Sequence, residues 1–358
     1  MKATEKLHEL GQSLWLDNIT RELLDSGQLQ TYIDHYSVTG LTSNPSIFDK
    51  AIASGGYDDA IHEKASTGMD REALFFELAI EDLRRAADLF ADIHKRTDRV
   101  DGWVSLEVSP LLAYDAESTV SAARTLHEQA GRDNLFIKIP GTAEGLPAIE
   151  EAIAAGVPVN VTLLFSAGQY LAAADAYMRG VERRIDTGLN PNVGSVASVF
   201  MSRWDAAVLG QVPAGLADTL ALAVGLKTYQ AYRELMDSER WQRLKNAGAR
   251  MQRLLWASTS TKDPKAPDTL YVHCLGAPFT INTIPEGTLQ AFYDHGHAGK
   301  PMPTDGGDAD ATLAKHAEAG IDADALAAKL QADAATSFVE SWNDLLAIID
   351  TQSAALRA

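Results

Sequence analysis

Cysteine is nearly absent. The single residue among 358, Cys274, excludes an internal disulfide and a cysteine-rich zinc site and fits a reducing, cytoplasmic setting. Positive charge is also scarce, with 31 Lys and Arg against 49 Asp and Glu, a formal net charge of −18. Such a chain repels polyphosphate and anionic lipid, so neither nucleic acid nor a membrane is an expected partner. No stretch approaches the roughly 20 apolar residues of a membrane span. Residues 1–12 carry charges throughout and lack the apolar core and cleavage site of a secretory signal, so a soluble, unprocessed protein is expected. No Pro/Gly/Ser linker, charge run or internal repeat divides the chain. A Walker A sequence, a dinucleotide glycine fingerprint and a serine nucleophile elbow are all missing. His295 and His297 stand in a loop-like Asp-His-Gly-His, and residues 305–310 lack the ligand order of a calcium loop. No metal and no cofactor is expected.

What is present is apolar residues at 46%, enough for a sizeable core, in a two-beat rhythm. Short β-like runs, at residues 13–18, 38–44, 103–109, 135–140, 157–165, 193–200, 253–259 and 270–275, alternate with segments whose apolar residues recur every three or four positions. Phe75, Ala79, Leu83, Ala86, Phe90 and Ile93 form one helical stripe; Leu146, Ile149 and Ile153 form another that stops at Gly156. Eight strands separated by helices suit an α/β fold of the (β/α)8 barrel kind, a single domain over residues 1–358, better than an open doubly wound sheet. Residues 202–250 are too long for one crossover helix, so additional helices are expected there. The stripe Leu326, Leu330, Phe338, Trp342, Leu345 and Ile349 predicts a C-terminal helical extension, within residues 285–358, packed on the barrel.

Alternation along each strand sorts its residues into two faces. In 103–109, Val104, Leu106 and Val108 share one face; Ser105, Glu107 and Ser109 share the other. If the apolar faces meet the helices, then Asp17, Asn44, Glu107, Lys138, Asn160, Thr162, Ser198 and Ser258 point into the barrel. Most lie near the C-terminal strand ends, where barrels place their chemistry. A single serine or threonine there more often satisfies local backbone, but eight such residues are harder to dismiss.

Lys138 stands within Leu-Phe-Ile-Lys-Ile-Pro, apolar on both faces. Burial disfavours the ammonium form, and a neutral amine attacks carbonyls. The competing structural explanation is a lysine whose head pairs with Glu107 or Asp17. Those two carboxylates could serve the proton transfers of imine chemistry, in roles that spacing alone does not assign. Arg203 and Lys262, just past the sixth and seventh strands, sit where barrels often bind phosphate.

Two motifs carry a family resemblance. Gly-Leu-Thr-Ser-Asn-Pro-Ser-Ile-Phe at 40–48 and Leu-Phe-Ile-Lys-Ile-Pro-Gly-Thr at 135–142, followed by Glu144-Gly145-Leu146, resemble the two transaldolase signatures, the second centred on a Schiff-base lysine. The resemblance is strongest to the longer bacterial branch, which also appears fused to phosphoglucose isomerase. It implies a metal-free class I transaldolase of the pentose phosphate shunt. That enzyme would move a dihydroxyacetone unit from sedoheptulose 7-phosphate to glyceraldehyde 3-phosphate, giving erythrose 4-phosphate and fructose 6-phosphate. Phosphorylated sugars are the implied partners, and the chain would act as a monomer or homodimer.

Carried over by position, Lys138 is the implied imine-forming residue and Asp17 the acid/base of bond cleavage. Glu107 and Thr162 would act through a water in imine formation. Asn44, Asn160 and Ser198 would hold the dihydroxyacetone hydroxyls, with Thr42 supporting the site; Arg203, Ser258 and Lys262 would take the phosphate, with Phe200 beside them. Lys262 departs from the arginine of the shorter branch and supplies a point charge in place of a planar fork. The nearest rival, a lyase resembling fructose 6-phosphate aldolase, has Gln where this chain has Glu107 and Tyr where it has Phe200. A catalytically silent scaffold would be expected to lose Lys138, Asp17 or Glu107, and all three are present.

Overall fold

The computed structural model describes residues 1–65 and 68–355. Eight strands run parallel: β1 Ser13–Asp17, β2 Val38–Thr42, β3 Val104–Glu107, β4 Leu135–Pro140, β5 Val159–Leu164, β6 Ser195–Phe200, β7 Arg253–Ala257 and β8 Ile281–Ile284. Their order is β2-β1-β8-β7-β6-β5-β4-β3. The two edges meet where Leu41 N–H donates to the Trp103 carbonyl and Gly102 N–H to that of Thr39, at 2.9 and 2.8 Å. The sheet therefore curls into a (β/α)8 barrel, which leaves no free strand edge.

The expected stripes bury, except that Leu146 and Leu326 at their ends are only half-buried. Helix Arg71–Arg96 turns Phe75, Ala79, Leu83, Ala86, Phe90 and Ile93 inward. Helix Gly145–Ala155 ends at Gly156, whose φ of 90° is the left-handed cap that glycine adopts without strain. Residues 202–250 hold three α-helices, Ser202–Val208, Leu220–Asp237 and Glu239–Asn246. The C-terminal stripe lies on one helix, Ala323–Ala355, with Leu330, Phe338, Trp342, Leu345 and Ile349 buried.

One expected strand is wrong. The run 270–275 is mostly a short helix, Leu270–Cys274, and the eighth strand is Ile281–Ile284. Both are brief apolar segments, and periodicity over four or five residues does not separate strand from helix. Pairing decides it: Ser13 to Leu16 of β1 match Ile281 to Ile284 in register, and Leu255 and Trp256 of β7 match Ile281 and Asn282. A smaller difference is that His295 closes helix Glu286–His295 instead of lying in a loop, its Nε2 3.1 Å from Asp268.

Regular pairing is interrupted between Leu14 and Trp15 of β1 and again in β5. Leu163 has a φ of 60°, and the β5–β6 register shifts between Val161 and Leu164. The irregularity leaves the Leu163 carbonyl to accept from Gln331 Nε2 at 2.8 Å, while the same amide donates to the Gly141 carbonyl at 3.1 Å. The C-terminal helix is thereby tied to the ends of β4 and β5.

Candidate active site

Every strand delivers at least one residue to the C-terminal mouth of the barrel. Asp17, Thr42, Lys138, Thr162, Ser198, Ala257 and Thr283, from seven strands, line a cavity of about 360 Å³. The eighth, Glu107 of β3, reaches Lys138, its neighbour in the β3–β4 register.

Lys138 Nζ donates to Glu107 Oε2 at 2.9 Å and to the Ser43 carbonyl at 2.8 Å. Both side chains are buried, with 6% and 3% exposure. The pairing of Lys138 with a carboxylate, one of the two arrangements open from sequence, is the one the structure displays. The other Glu107 oxygen, Oε1, and the Thr162 hydroxyl are buried without a partner among the described residues. Two orphaned polar atoms beside an amine are costly unless something completes them, such as a water or a substrate oxygen.

Asp17 is held from the opposite side of the mouth. Thr42 Oγ1 donates to Asp17 Oδ1 at 2.7 Å and lies 2.6 Å from Thr283 Oγ1. Burial raises the Asp17 carboxyl above the ordinary aspartate range, opposed by the Thr42 hydrogen bond and the Lys138 charge. Glu107 is raised as well, again by burial, with Lys138 opposing. Two carboxyls that retain protons more readily than exposed ones therefore flank one amine, which is an arrangement suited to proton transfer near neutral pH.

The outer part of the mouth is cationic. Arg203 follows β6 on helix Ser202–Val208, with its guanidinium over the Phe200 ring at 5.4 Å, and Phe200 stacks on Phe165. Lys262 follows β7, its Nζ 2.7 Å from Ser260 Oγ. Ser258 takes a φ of 54° and its hydroxyl lies 2.9 Å from that of Ser202. Desolvation lowers the Arg203 guanidinium's proton affinity; desolvation and then the Arg203 and Lys50 charges lower that of Lys262.

Of the twelve residues singled out from sequence, ten line this cavity: Asp17, Thr42, Asn44, Lys138, Thr162, Ser198, Phe200, Arg203, Ser258 and Lys262. Glu107 and Asn160 do not. Glu107 is joined to the cavity lining by its bond to Lys138. Asn160 is fully buried, donating to Ser105 Oγ at 3.1 Å and accepting from Ser198 Oγ at 2.7 Å, so it fixes the serine that does face the cavity. Asn44 is partly engaged, since its Oδ1 accepts from Ile47 N–H and caps helix Pro45–Ala53.

The chain as a whole matches a known family. The family Transaldolase/Fructose-6-phosphate aldolase matches residues 14–349. The chain belongs to the transaldolase/fructose-6-phosphate aldolase family. It is 44% identical over 358 residues to a transaldolase of Acidothermus cellulolyticus, covering 97% of this chain and 96% of that one. It is 42% identical over 364 residues to a transaldolase of an Arthrobacter species, covering 99% and 98%. It is 38% identical over 361 residues to transaldolase 2 of Nostoc punctiforme, covering 95% of each.

Eight cavity residues of this family member were not among the twelve, and Thr283, Phe338 and Lys50 are the most informative of them. Thr283 was missed because its strand was misplaced. Phe338 comes from the C-terminal helix, whose periodicity says that it packs but not where. Lys50 carried a usable signal: Pro45 opens a helix at the first position, and Ser46 and Lys50, four residues apart, share a face.

Proposed function

We propose that this protein is a class I transaldolase that transfers a dihydroxyacetone unit from sedoheptulose 7-phosphate to glyceraldehyde 3-phosphate through an imine on Lys138. The observation that carries the reading is the buried Lys138–Glu107 contact at 2.9 Å, with Asp17 lining the same cavity. Because burial favours the protonated form of Glu107, the shared proton passes to the carboxyl at less cost than it would to an exposed glutamate, and this frees the amine's lone pair.

The neutral Nζ adds to the C2 carbonyl of the ketose, giving a carbinolamine. Its hydroxyl leaves as water, with a proton supplied from Glu107 through a water held by the Thr162 hydroxyl. Asp17 then takes the proton of the C4 hydroxyl as the C3–C4 bond breaks. The electron pair moves into the iminium, leaving an enamine on Lys138 and releasing erythrose 4-phosphate. Carbon 3 of the enamine adds to the aldehyde carbon of glyceraldehyde 3-phosphate, Asp17 returns its proton to the new alkoxide, and hydrolysis gives fructose 6-phosphate. Protons and electrons balance without a cofactor. On this reading Ser198 and Asn44 would receive the dihydroxyacetone hydroxyls, and Arg203, Ser258 and Lys262 the terminal phosphate; all five line the same cavity.

Borohydride reduction in the presence of fructose 6-phosphate should leave a three-carbon adduct on Lys138, read by peptide mass spectrometry. An adduct on another lysine, or none, overturns the assignment. Release of free dihydroxyacetone from fructose 6-phosphate with no acceptor aldehyde, at a rate matching turnover, would make the enzyme a lyase instead of a transferase.

A further inference from the structure

Three cations from three separate elements face the same cavity. Lys50 projects from helix Pro45–Ala53, Arg203 from helix Ser202–Val208, and Lys262 from the segment after β7. Arginines elsewhere in the chain are mostly neutralised: Arg21, Arg71, Arg85, Arg132, Arg179, Arg183, Arg240, Arg250 and Arg253 each have a carboxylate within 4 Å. Among the described residues, none of Lys50, Arg203 and Lys262 does. The carboxylates that face them are more distant: Asp333 acts on Arg203, and Asp49 is the chain neighbour of Lys50. In a protein with 49 acidic residues, leaving three cations unpaired around one hollow is an arrangement that an incoming anion completes.

Resting on the transaldolase reading, we propose that Lys50 is a specificity-determining residue. With Arg203 and Lys262 it would form a three-point receptor that selects phosphorylated over unphosphorylated substrates. A lysine suits this position because its long stem sends a point charge from the helix into the cavity without demanding a fixed plane. Lys262 likewise offers a point charge, so the one planar fork is Arg203. A dianion seated between the three would relieve their mutual repulsion, which is a larger gain than three isolated surface charges could give. The competing role for Lys50 is purely structural, since a cation in the last turn of a helix interacts favourably with the helix dipole.

The test uses the full chain with Lys50→Gln and Lys50→Arg. Lys50→Gln should raise the ratio of KM for glyceraldehyde 3-phosphate to KM for unphosphorylated glyceraldehyde about tenfold, as expected for one charge-assisted contact. It should also weaken binding of inorganic phosphate, measured by calorimetry, by a similar factor. Lys50→Arg should restore most of both. A lowered melting temperature with the KM ratio and phosphate affinity unchanged would reduce Lys50 to a helix-terminal charge and overturn the proposal, as would wild-type protein that binds no phosphate. Borohydride trapping on Lys138, measured in parallel, reports on the imine reading by itself. Failure there with phosphate binding still dependent on Lys50 would sink the reaction while sparing the receptor.

Discussion

The two mouths of the barrel treat charge in opposite ways. At the N-terminal mouth Asp101 accepts from Ser13 Oγ at 2.5 Å and from Trp15 Nε1 at 3.0 Å, and faces Arg253 at 3.4 Å; Arg253 also donates to Ser13 Oγ and the Thr280 carbonyl. Trp15 and Trp103 stack on Phe136 from either side, at 6.2 and 4.0 Å between centroids. Each charge in that network answers another. At the C-terminal mouth two carboxyls are raised by burial, and among the described residues Glu107 Oε1 and the Thr162 hydroxyl have no partner and three cations stand unpaired. The same eight strands thus end in a plug of paired charge on one side and a hollow of unpaired charge on the other, although Gln12 Oε1 and Gln252 Oε1 at the plug also lack a partner among the described residues. The comparison teaches that stability and chemistry are separated along the strand direction, over only four to six residues.

The sharpest way to break that comparison is at Asp17. Asp17→Asn keeps an acceptor for Thr42 but removes the group that moves the C4 proton, so kcat for transfer should fall about 10³- to 10⁴-fold. Stability should move the other way. The folded-state pKa of Asp17 lies above its ordinary value, so the folded protein binds more protons than the unfolded chain as pH rises through that interval, and stability is lost over it. At neutral pH Asp17→Asn should therefore melt roughly 2 to 4 °C higher than wild type. The gain should shrink as pH falls toward 3.8 and vanish below it, where both states are protonated. A variant that is both inactive and less stable would mean that Asp17 belongs with the satisfied charges.

Glu107→Gln comes next. It retains size and one hydrogen bond to Lys138 but supplies no proton, so imine formation should slow about 10²- to 10³-fold in stopped-flow borohydride trapping. The bond-cleavage step, followed in a pre-formed imine, should change far less. Equal losses in both steps would assign Glu107 to holding the lysine in place.

At the other mouth the signature should invert. Asp101→Ala leaves Arg253 facing a lost partner in a largely buried setting and should cost about 3 kcal/mol of folding free energy, read by urea denaturation. The kcat of the molecules that remain folded should stay within about twofold of wild type. If catalysis fell with stability, the two ends would be coupled and the division drawn here would not hold.

The ring of inward strand residues was readable from sequence because alternation is a local rule, whereas the Asp101–Arg253 network at the other end was not, since it joins residues about 150 positions apart. Ser105 and Glu107, Asn160 and Thr162, and Trp15 and Asp17 announce themselves pairwise. The exceptions share a cause: each needed contacts distant in sequence. Four-residue β8 becomes a strand only because β1 and β7 pair with it, and Thr283 is lost with it. Leu163 breaks alternation at a register shift that no property of Leu-Leu-Phe signals. Asn160 was read correctly as inward, but its two hydrogen bonds to Ser105 and Ser198 belong to the packed barrel, so its amide supports the cavity without lining it.

The smallest expected effect tests how the C-terminal helix belongs to the active mouth. Gln331 is one side chain with one amide, yet that amide satisfies two carbonyls at the ends of different strands, at Gly141 three residues past Lys138 and at Leu163 next to Thr162. Gln331→Leu keeps the bulk and removes both donors. Two partly buried carbonyls would then lack a protein partner, a cost of about 1 to 3 kcal/mol if water does not replace the amide. If the tie merely fastens the helix, that cost appears in the melting temperature alone. If it also sets where Lys138 and Thr162 stand, kcat should fall a further few-fold, with KM for the phosphorylated acceptor nearly constant, because Lys50, Arg203 and Lys262 are anchored on other elements. Gln331→Glu tests the donors in a second way: its carboxylate would face two carbonyl oxygens, so it should be worse than leucine near neutral pH and recover as acid protonates it.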